Sequence, residues 1–262
     1  MNNIQKFNAL HHTDDLLFLG NAWDVLSARS LEKSGFQAIG TTSWGIAASL
    51  GFADGEKIDF ALHLAIIKMI VDHVHIPVSA DIEAGYSEDA DTIVENVLRT
   101  ADLGVAGINI EDSFKTKPGL KEIQEQAALL QKMRVALDNR GFQGFYINAR
   151  IDTYFRKDDP FEETISRGKA YVESGASGIF VPGLHAEEEI SSIVQQVPAP
   201  LNVLSRPNLT DTNKLAELGV KRFSIGNDFY DHIAAYTSKS AAYLIASKNS
   251  MSLYEAKSIE SL

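Results

Sequence analysis

Eight short apolar runs, each followed by a longer amphipathic stretch, restrict the fold of this chain more than any other feature of its sequence. The runs are "LLFLGN" (16–21), "AIGTTS" (38–43), "PVSADI" (77–82), "AGINIED" (106–112), "GFYINAR" (144–150), "GIFVPG" (178–183), "PLNVLS" (200–205) and "KRFSIG" (221–226). Several are almost continuously apolar, as strands buried on both faces must be. The stretches between them carry apolar residues at helical spacing, as in "IDFALHLAIIKMIVDHV" and "DADTIVENVLRTADLG". Gly35, Gly104, Gly141 and Gly175 follow four of these stretches as helix stops, and Pro160 opens one of them. Eight strands alternating with eight helices predict an α/β fold, a (β/α)8 barrel. A doubly wound open sheet is the alternative; the strand count and the lack of a Gly-x-Gly-x-x-Gly turn favour the barrel.

Nothing resembling a linker or low-complexity tract interrupts the 262 residues, so one domain is expected over 1–262, with a C-terminal helical extension from about 228. With no cysteine, disulfides, zinc–thiolate sites and thiol nucleophiles are excluded; this is compatible with a reducing cytoplasm, the expected location. A net charge of −11 and scattered basic residues argue against nucleic-acid binding. The N-terminal stretch "MNNIQKFNALHHTDD" lacks the apolar segment of a signal peptide, and no apolar run approaches a membrane span.

In a barrel of this kind, chemistry sits where strands end and the following loops begin. Those positions are rich in acids. Asp81 and Glu83 follow strand 3, Glu111 and Asp112 strand 4, and Arg150 and Asp152 strand 5, while the loop after strand 2 reaches Asp54. Asp81 and Glu83 are two residues apart, so strand alternation sends both the same way. Taken singly, each acid reads as a loop cap or a solvated side chain. Their density at neighbouring loops is unfavourable without a cation, and oxygen-only donors suit a hard ion, Mg²⁺ or Mn²⁺. His63, His73 and His75 fall on or just after a helix and read as structural. His185 follows strand 6 and could reach the mouth, and His232 lies in the last helix.

"NAWDVLSAR", "TTSWGIAASLGFADGE", "VSADIEAGYSED", "INIEDS", "INARID" and "PLNVLS", followed by "LAELGVKRFSIG", occur in an order and spacing that resembles the isocitrate lyase/phosphoenolpyruvate mutase superfamily. The resemblance runs from about residue 16 to about residue 230. It is nearest to the phosphoenolpyruvate-mutase-like branch that includes oxaloacetate decarboxylases. It implies a (β/α)8 barrel whose last helix is exchanged between subunits, in a dimer or tetramer, and Mg²⁺ binding a small 2-keto acid. By motif, Asp81 is implied as the direct metal ligand, and Glu83, Glu111 and Asp54 as holders of the metal's waters. Arg150 is implied to contact the substrate oxygens. Thr42, Ser43, Trp44 and Gly45 align with a loop whose backbone N–H groups grip the substrate, and Asn202 at the end of strand 7 is a further expected substrate contact. Asp54, Glu111 and Arg150 are the expected catalytic side chains.

The departures from that pattern narrow the chemistry. The lyase branch carries a Lys-Lys/Arg-Cys-Gly-His loop after strand 4, and the mutase branch an Asp-Lys-x-x-Asn-Ser-like lid. Here the stretch is "EDSFKTKPGLK", with Lys115 and Lys117 but no Cys, His or Asn. Residues 113–119 read either as a mobile gate or as a plain surface loop with solvated lysines. Glu83 stands where an aspartate is usual in those branches. The resemblance therefore implies a Mg²⁺-dependent lyase of a small 2-keto or 2-hydroxy dicarboxylic acid, first of all an oxaloacetate decarboxylase. Another carbon–carbon lyase (a dimethylmalate type), a phosphonopyruvate or phosphoenolpyruvate mutase-type enzyme, and a non-catalytic keto-acid binder are the alternatives. The side chains that would touch the substrate's tail are guessed as His185, Arg206 and Asn208.

Overall fold

A computed structural model describes residues 1–255. Its eight strands form a closed parallel barrel in sequence order: β1 (Leu17–Ala22), β2 (Ile39–Thr41), β3 (Val78–Asp81), β4 (Gly107–Glu111), β5 (Tyr146–Arg150), β6 (Gly178–Phe180), β7 (Leu201–Leu204) and β8 (Arg222–Ser224). Closure comes from β8 pairing with β1, Leu17 opposite Arg222. Each strand lies within its expected run, except that β1 starts and ends one residue later. The runs outlast the strands because the first loop residues are also buried: Ile82 and Val181 are wholly inaccessible.

The helices are α1 (Asn3–Leu10), α2 (Val25–Lys33), α3 (Ser43–Ser49), α4 (Phe60–Asp72), α5 (Ala90–Asp102), α6 (Ile123–Asn139), α7 (Thr153–Arg156), α8 (Phe161–Glu173), α9 (Glu187–Gln196), α10 (Thr212–Glu217), α11 (Asp228–Ser247) and α12 (Ser252–Glu255). Local chemistry sets several starts. The carboxylates of Asp24, Asp59, Asp89 and Asp211 accept from N–H groups of the first turns of α2, α4, α5 and α10. The outer helices press apolar stripes onto the strands; Ile67 and Ile70 of α4 are fully buried, each contributing roughly 1.5–3 kcal/mol.

Helices α1, α3 and α7 were not expected from periodicity. The first covers the N-terminal mouth: Phe7 packs with Leu17, Ala38, Ala106 and Tyr146, at or just before strand starts, and with Leu19 of β1, and the His11 ring stacks on Tyr146 at 4.0 Å. At that end Gly107 is required by close approach, since a Cβ there would lie 2.5 Å from the Tyr146 carbonyl oxygen. The opposite mouth is left open. The long α11 buries none of its residues, and Tyr236, Tyr243 and Ile245 are exposed on it. The expected extension continues to 262; its residues beyond 255 lie outside the described ones. Among the described residues no helix is long and apolar enough to cross a membrane.

Candidate active site

At the C-terminal mouth a cavity of about 210 Å³ is lined by Asp54, Asp81, Arg150 and the Thr41–Trp44 segment, with Asn21 and Asn109 also contributing. Barrel register explains the gathering. Asp81 is level with Asn109, while Glu111, Arg150 and Phe180 lie side by side one layer higher. Side chains of one parity on parallel strands share the inner face, so these residues reach the same mouth.

Asp81 is held by its neighbours. Its carboxylate Oδ2 accepts from Ser43 Oγ at 2.9 Å and from the Ser43 N–H at 3.4 Å, and its backbone N–H donates to Thr41 Oγ1 at 2.9 Å. Its carbonyl accepts from His63 Nε2 at 2.9 Å. His63 is buried and kept neutral by that burial, so the structural reading of it holds, yet it supports the very residue at the rim.

Glu83 departs from expectation. The strand ends at Asp81, and Glu83 has a left-handed backbone, φ 52°. Strand alternation stops there, so Glu83 does not follow Asp81 into the cavity. Its Oε1 accepts from the Glu56 N–H (3.0 Å) and Tyr86 Oη (3.3 Å), and its Oε2 faces Lys115 Nζ at 2.8 Å. Glu56 and Tyr86 are also left-handed, φ 59° and 58°, and Glu56 Oε1 in turn accepts from the Ala84 and Tyr86 N–H groups. Three non-glycine residues in this conformation within one network mark a turn built to hold acids in place.

Lys115 lies 2.6 Å from Glu111 Oε1, and Arg150 Nη1 lies 3.0 Å from Glu111 Oε2. Lys115 is thus a buried bridge between Glu83 and Glu111, not a solvated surface lysine. Burial pushes Glu111 up to about 7 against the pull of Arg150 and Lys115. Burial alone would lower the Lys115 ammonium, but Glu111 and Glu83 outweigh it and lift its pKa above the ordinary lysine value. Lys115 therefore keeps its proton and remains the cation between the two glutamates. Residues 113–121 form a short hairpin, with a Ser113–Leu120 bridge and Ser113 Oγ donating to Asp152 at 2.6 Å.

Arg150 is clamped by Asp152, with Nε donating to Oδ1 at 2.6 Å and Nη2 to Oδ2 at 3.2 Å. Asp54 stands at the solvent-facing rim; partial enclosure by the mouth, then the charge of Asp81, raises its pKa. Five carboxylates (Asp54, Asp81, Glu83, Glu111, Asp152) thus meet two cations, Lys115 and Arg150. Among the described residues neither Asp54 nor Asp81 has an ion-pair partner. A negative surplus with oxygen-only donors fits a hard divalent cation. Among the described residues no three His, Asp or Glu side chains form a ready ligand cluster, since Glu83 and Glu111 are already engaged by Lys115.

Other expected residues are placed differently. Thr42 caps α3, and its Oγ1 takes the Gly45 N–H at 3.2 Å; the Ser43 N–H goes to Asp81. Those two N–H groups serve the chain itself because residues 43–49 wind into a helix. Trp44 does line the cavity, and half of it is exposed. Asn202, paired with Phe180 in the register, is buried and does not line the cavity; its Oδ1 accepts from Ser224 Oγ at 3.3 Å. His185 is exposed with Nδ1 bonded to the Gly183 carbonyl, and Arg206 Nη1 donates to that carbonyl at 3.2 Å. Neither lines the cavity, and nor does Asn208. Phe155, Phe180, Pro182 and Leu204 do. They were missed because an apolar residue at a strand end is indistinguishable in sequence from core.

The family model for phosphoenolpyruvate phosphomutase matches residues 7–245. An uncharacterised protein of Mycobacterium tuberculosis is 40% identical over 223 residues, 85% of this chain and 82% of its own length. The 2,3-dimethylmalate lyase of Eubacterium barkeri is 31% identical, over 76% of this chain and 69% of its own. Oxaloacetate decarboxylases and 2-methylisocitrate lyases are among the more distant relatives. A crystal structure of a protein from Burkholderia cenocepacia, provisionally assigned as a phosphonomutase, superposes with a TM-score of 0.85 at 35% identity, covering 92% of this chain and 98% of that one.

Proposed function

This chain belongs to the phosphoenolpyruvate phosphomutase family, within the isocitrate lyase/phosphoenolpyruvate mutase superfamily, and we propose that it is a Mg²⁺-dependent carbon–carbon lyase of a small 2-keto acid, acting by decarboxylation of an oxaloacetate-type substrate. The observation that carries this reading is the uncompensated pair Asp54 and Asp81 lining one cavity with Arg150. Two unpaired carboxylates would repel an anionic substrate unless a divalent ion joined them. Asp81 would hold that ion directly, with Asp54 on its water shell, while Glu83 and Glu111 are taken up by Lys115. A bound Mg²⁺ or Mn²⁺ supplies Lewis-acid charge to a keto oxygen as negative charge grows there.

The chain's own groups have separable roles. Arg150, locked by Asp152 and Glu111, offers its remaining N–H directions to the substrate's oxygens. Ser43 and Thr41 fix Asp81. When the C3–C4 bond breaks, CO2 leaves uncharged and the electron pair passes to the keto oxygen, giving an enolate that is then protonated at C3. Asp54, its pKa raised at the rim, is the side chain positioned to deliver that proton. No protein nucleophile is required. The hairpin at 113–119 offers neither the cysteine of isocitrate-type cleavage nor the asparagine of phosphoryl transfer, which supports decarboxylation over those reactions.

The reading extends to assembly. The exposed Tyr236, Tyr243 and Ile245 on α11 suit packing against a second copy, in a dimer or tetramer with that helix exchanged. A cytoplasmic location accords with the absence of cysteine.

The test is loss of oxaloacetate in Mg²⁺ buffer with and without protein. The expected result is a rate above that of Mg²⁺ alone, eliminated by Asp81→Ala. Oxalate binding without turnover of any 2-keto acid would instead assign a non-catalytic keto-acid binder.

A further inference from the structure

The sector of the cavity at the ends of β6 and β7 is apolar: Phe155 of α7, Phe180 and Pro182 of β6 and its loop, and Leu204 of β7, with Ser224 and Asn227 bordering it at the end of β8. Phe180 is level with Arg150, whose guanidinium carbon lies 5.9 Å from the ring centroid. Phe155 and Trp44 are both about half exposed while lining this space, an unfavourable display of large aromatic surface in water.

Among the described residues Arg150 is the one cationic side chain lining the cavity, and it already contacts Glu111 and Asp152. The nearby cations are committed elsewhere: Lys115 to Glu83 and Glu111, Arg206 to the Gly183 carbonyl. A substrate held at its keto-acid end by Arg150 and the acidic rim therefore extends its tail toward aromatic and aliphatic carbon. A charge retained on that tail would be desolvated without a partner, which is costly. An alkyl group there would bury its surface instead.

Resting on the keto-acid reading above, we propose that this cavity selects 2-keto acids branched with alkyl groups at C3, and that any second carboxylate is tolerated only as the group lost as CO2. The preferred substrate is then a C3-alkylated oxaloacetate, and the product a 2-keto monocarboxylate that keeps the alkyl groups at C3. The atoms balance as for oxaloacetate: the C3–C4 bond breaks, CO2 departs, and one proton is added at C3. The apolar wall also favours the step itself, because the carboxylate loses charge as it leaves.

Product-side binding tests this without turnover. Calorimetry on the Mg²⁺-loaded protein would compare pyruvate, 2-ketobutyrate, 3-methyl-2-ketobutyrate and 2-ketoglutarate, with oxalate as the reference ligand. Affinity should rise about fourfold with each added methyl group. 2-Ketoglutarate should bind roughly tenfold or more weakly than 3-methyl-2-ketobutyrate, since its second charge persists. Phe155→Ala, at a half-exposed site, should compress the spread between pyruvate and 3-methyl-2-ketobutyrate. Equal affinities along the methyl series, or 2-ketoglutarate as the tightest ligand, would overturn the proposal while leaving the keto-acid reading intact. Failure of oxalate and every keto acid to bind would overturn both.

Discussion

The ammonium of Lys115 lies 2.6 Å from Glu111 Oε1, inside the rim of the barrel. With Glu83 at 2.8 Å on its other side, it joins the segments that follow β3 and β4 through a residue of the hairpin after β4. The chain thus carries an internal cation for two of its five rim carboxylates and leaves Asp54 and Asp81 without one.

Removing that cation should be costly. Lys115→Met leaves Glu83 and Glu111 as buried, mutually repelling acids, so stability should fall by about 3 kcal/mol. Urea unfolding measures this. Mg²⁺ should recover more stability in the variant than in the parent, because an added divalent ion can take the vacated place; equal Mg²⁺ effects would contradict the assignment.

Arg150→Lys keeps the charge but loses the two-point clamp to Asp152. kcat/KM for the decarboxylated substrate should drop by about 10²-fold or more, chiefly in kcat, with little change in unfolding midpoint. A change confined to KM would make Arg150 a binding group only.

Ser43→Ala removes the 2.9 Å bond to Asp81 without touching the cavity's apolar side. Mn²⁺ affinity, read by electron paramagnetic resonance, should weaken by about 10-fold, as for a group that orients a metal ligand. Unchanged affinity would show that Asp81 needs no such support.

Burial pushes the His11 imidazole down to about 3, with Arg222 adding to the effect. The unfolded chain takes up a proton near 6.5, whereas the folded chain does not until about 3. Between those values the unfolded state binds more protons, so this histidine's contribution makes stability rise with pH and level off above 6.5. Denaturation at pH 5 and pH 7 should show this, and His11→Gln should shrink the difference. Glu111, raised by burial, acts in the opposite sense between about 4.5 and 7, so the comparison of parent with variant is the decisive one.

Much of the architecture was legible because it is local. Strand runs declare themselves by continuous apolarity, and Asp81, Glu111 and Arg150 could be placed at strand ends by counting. Helices α1, α3 and α7 were not: each is short, and each forms because it covers or rims the barrel. The N-terminal segment gains its order from Phe7 and His11 against Tyr146, a contact more than 130 residues distant in sequence.

What the sequence by itself determined is the alternation that closes into a barrel and the belt of acids at its C-terminal rim, since both follow from spacing along one strand and its loop. Only the tertiary structure decided that Glu83 turns aside through a left-handed residue, that Lys115 is drawn inward between two glutamates, and that Phe155, Phe180, Pro182 and Leu204 share one wall. Those relationships depend on register and on how separate loops meet in space. Side chains from distant segments become neighbours only when the sheet closes, and no periodicity in the chain encodes which of them will face each other.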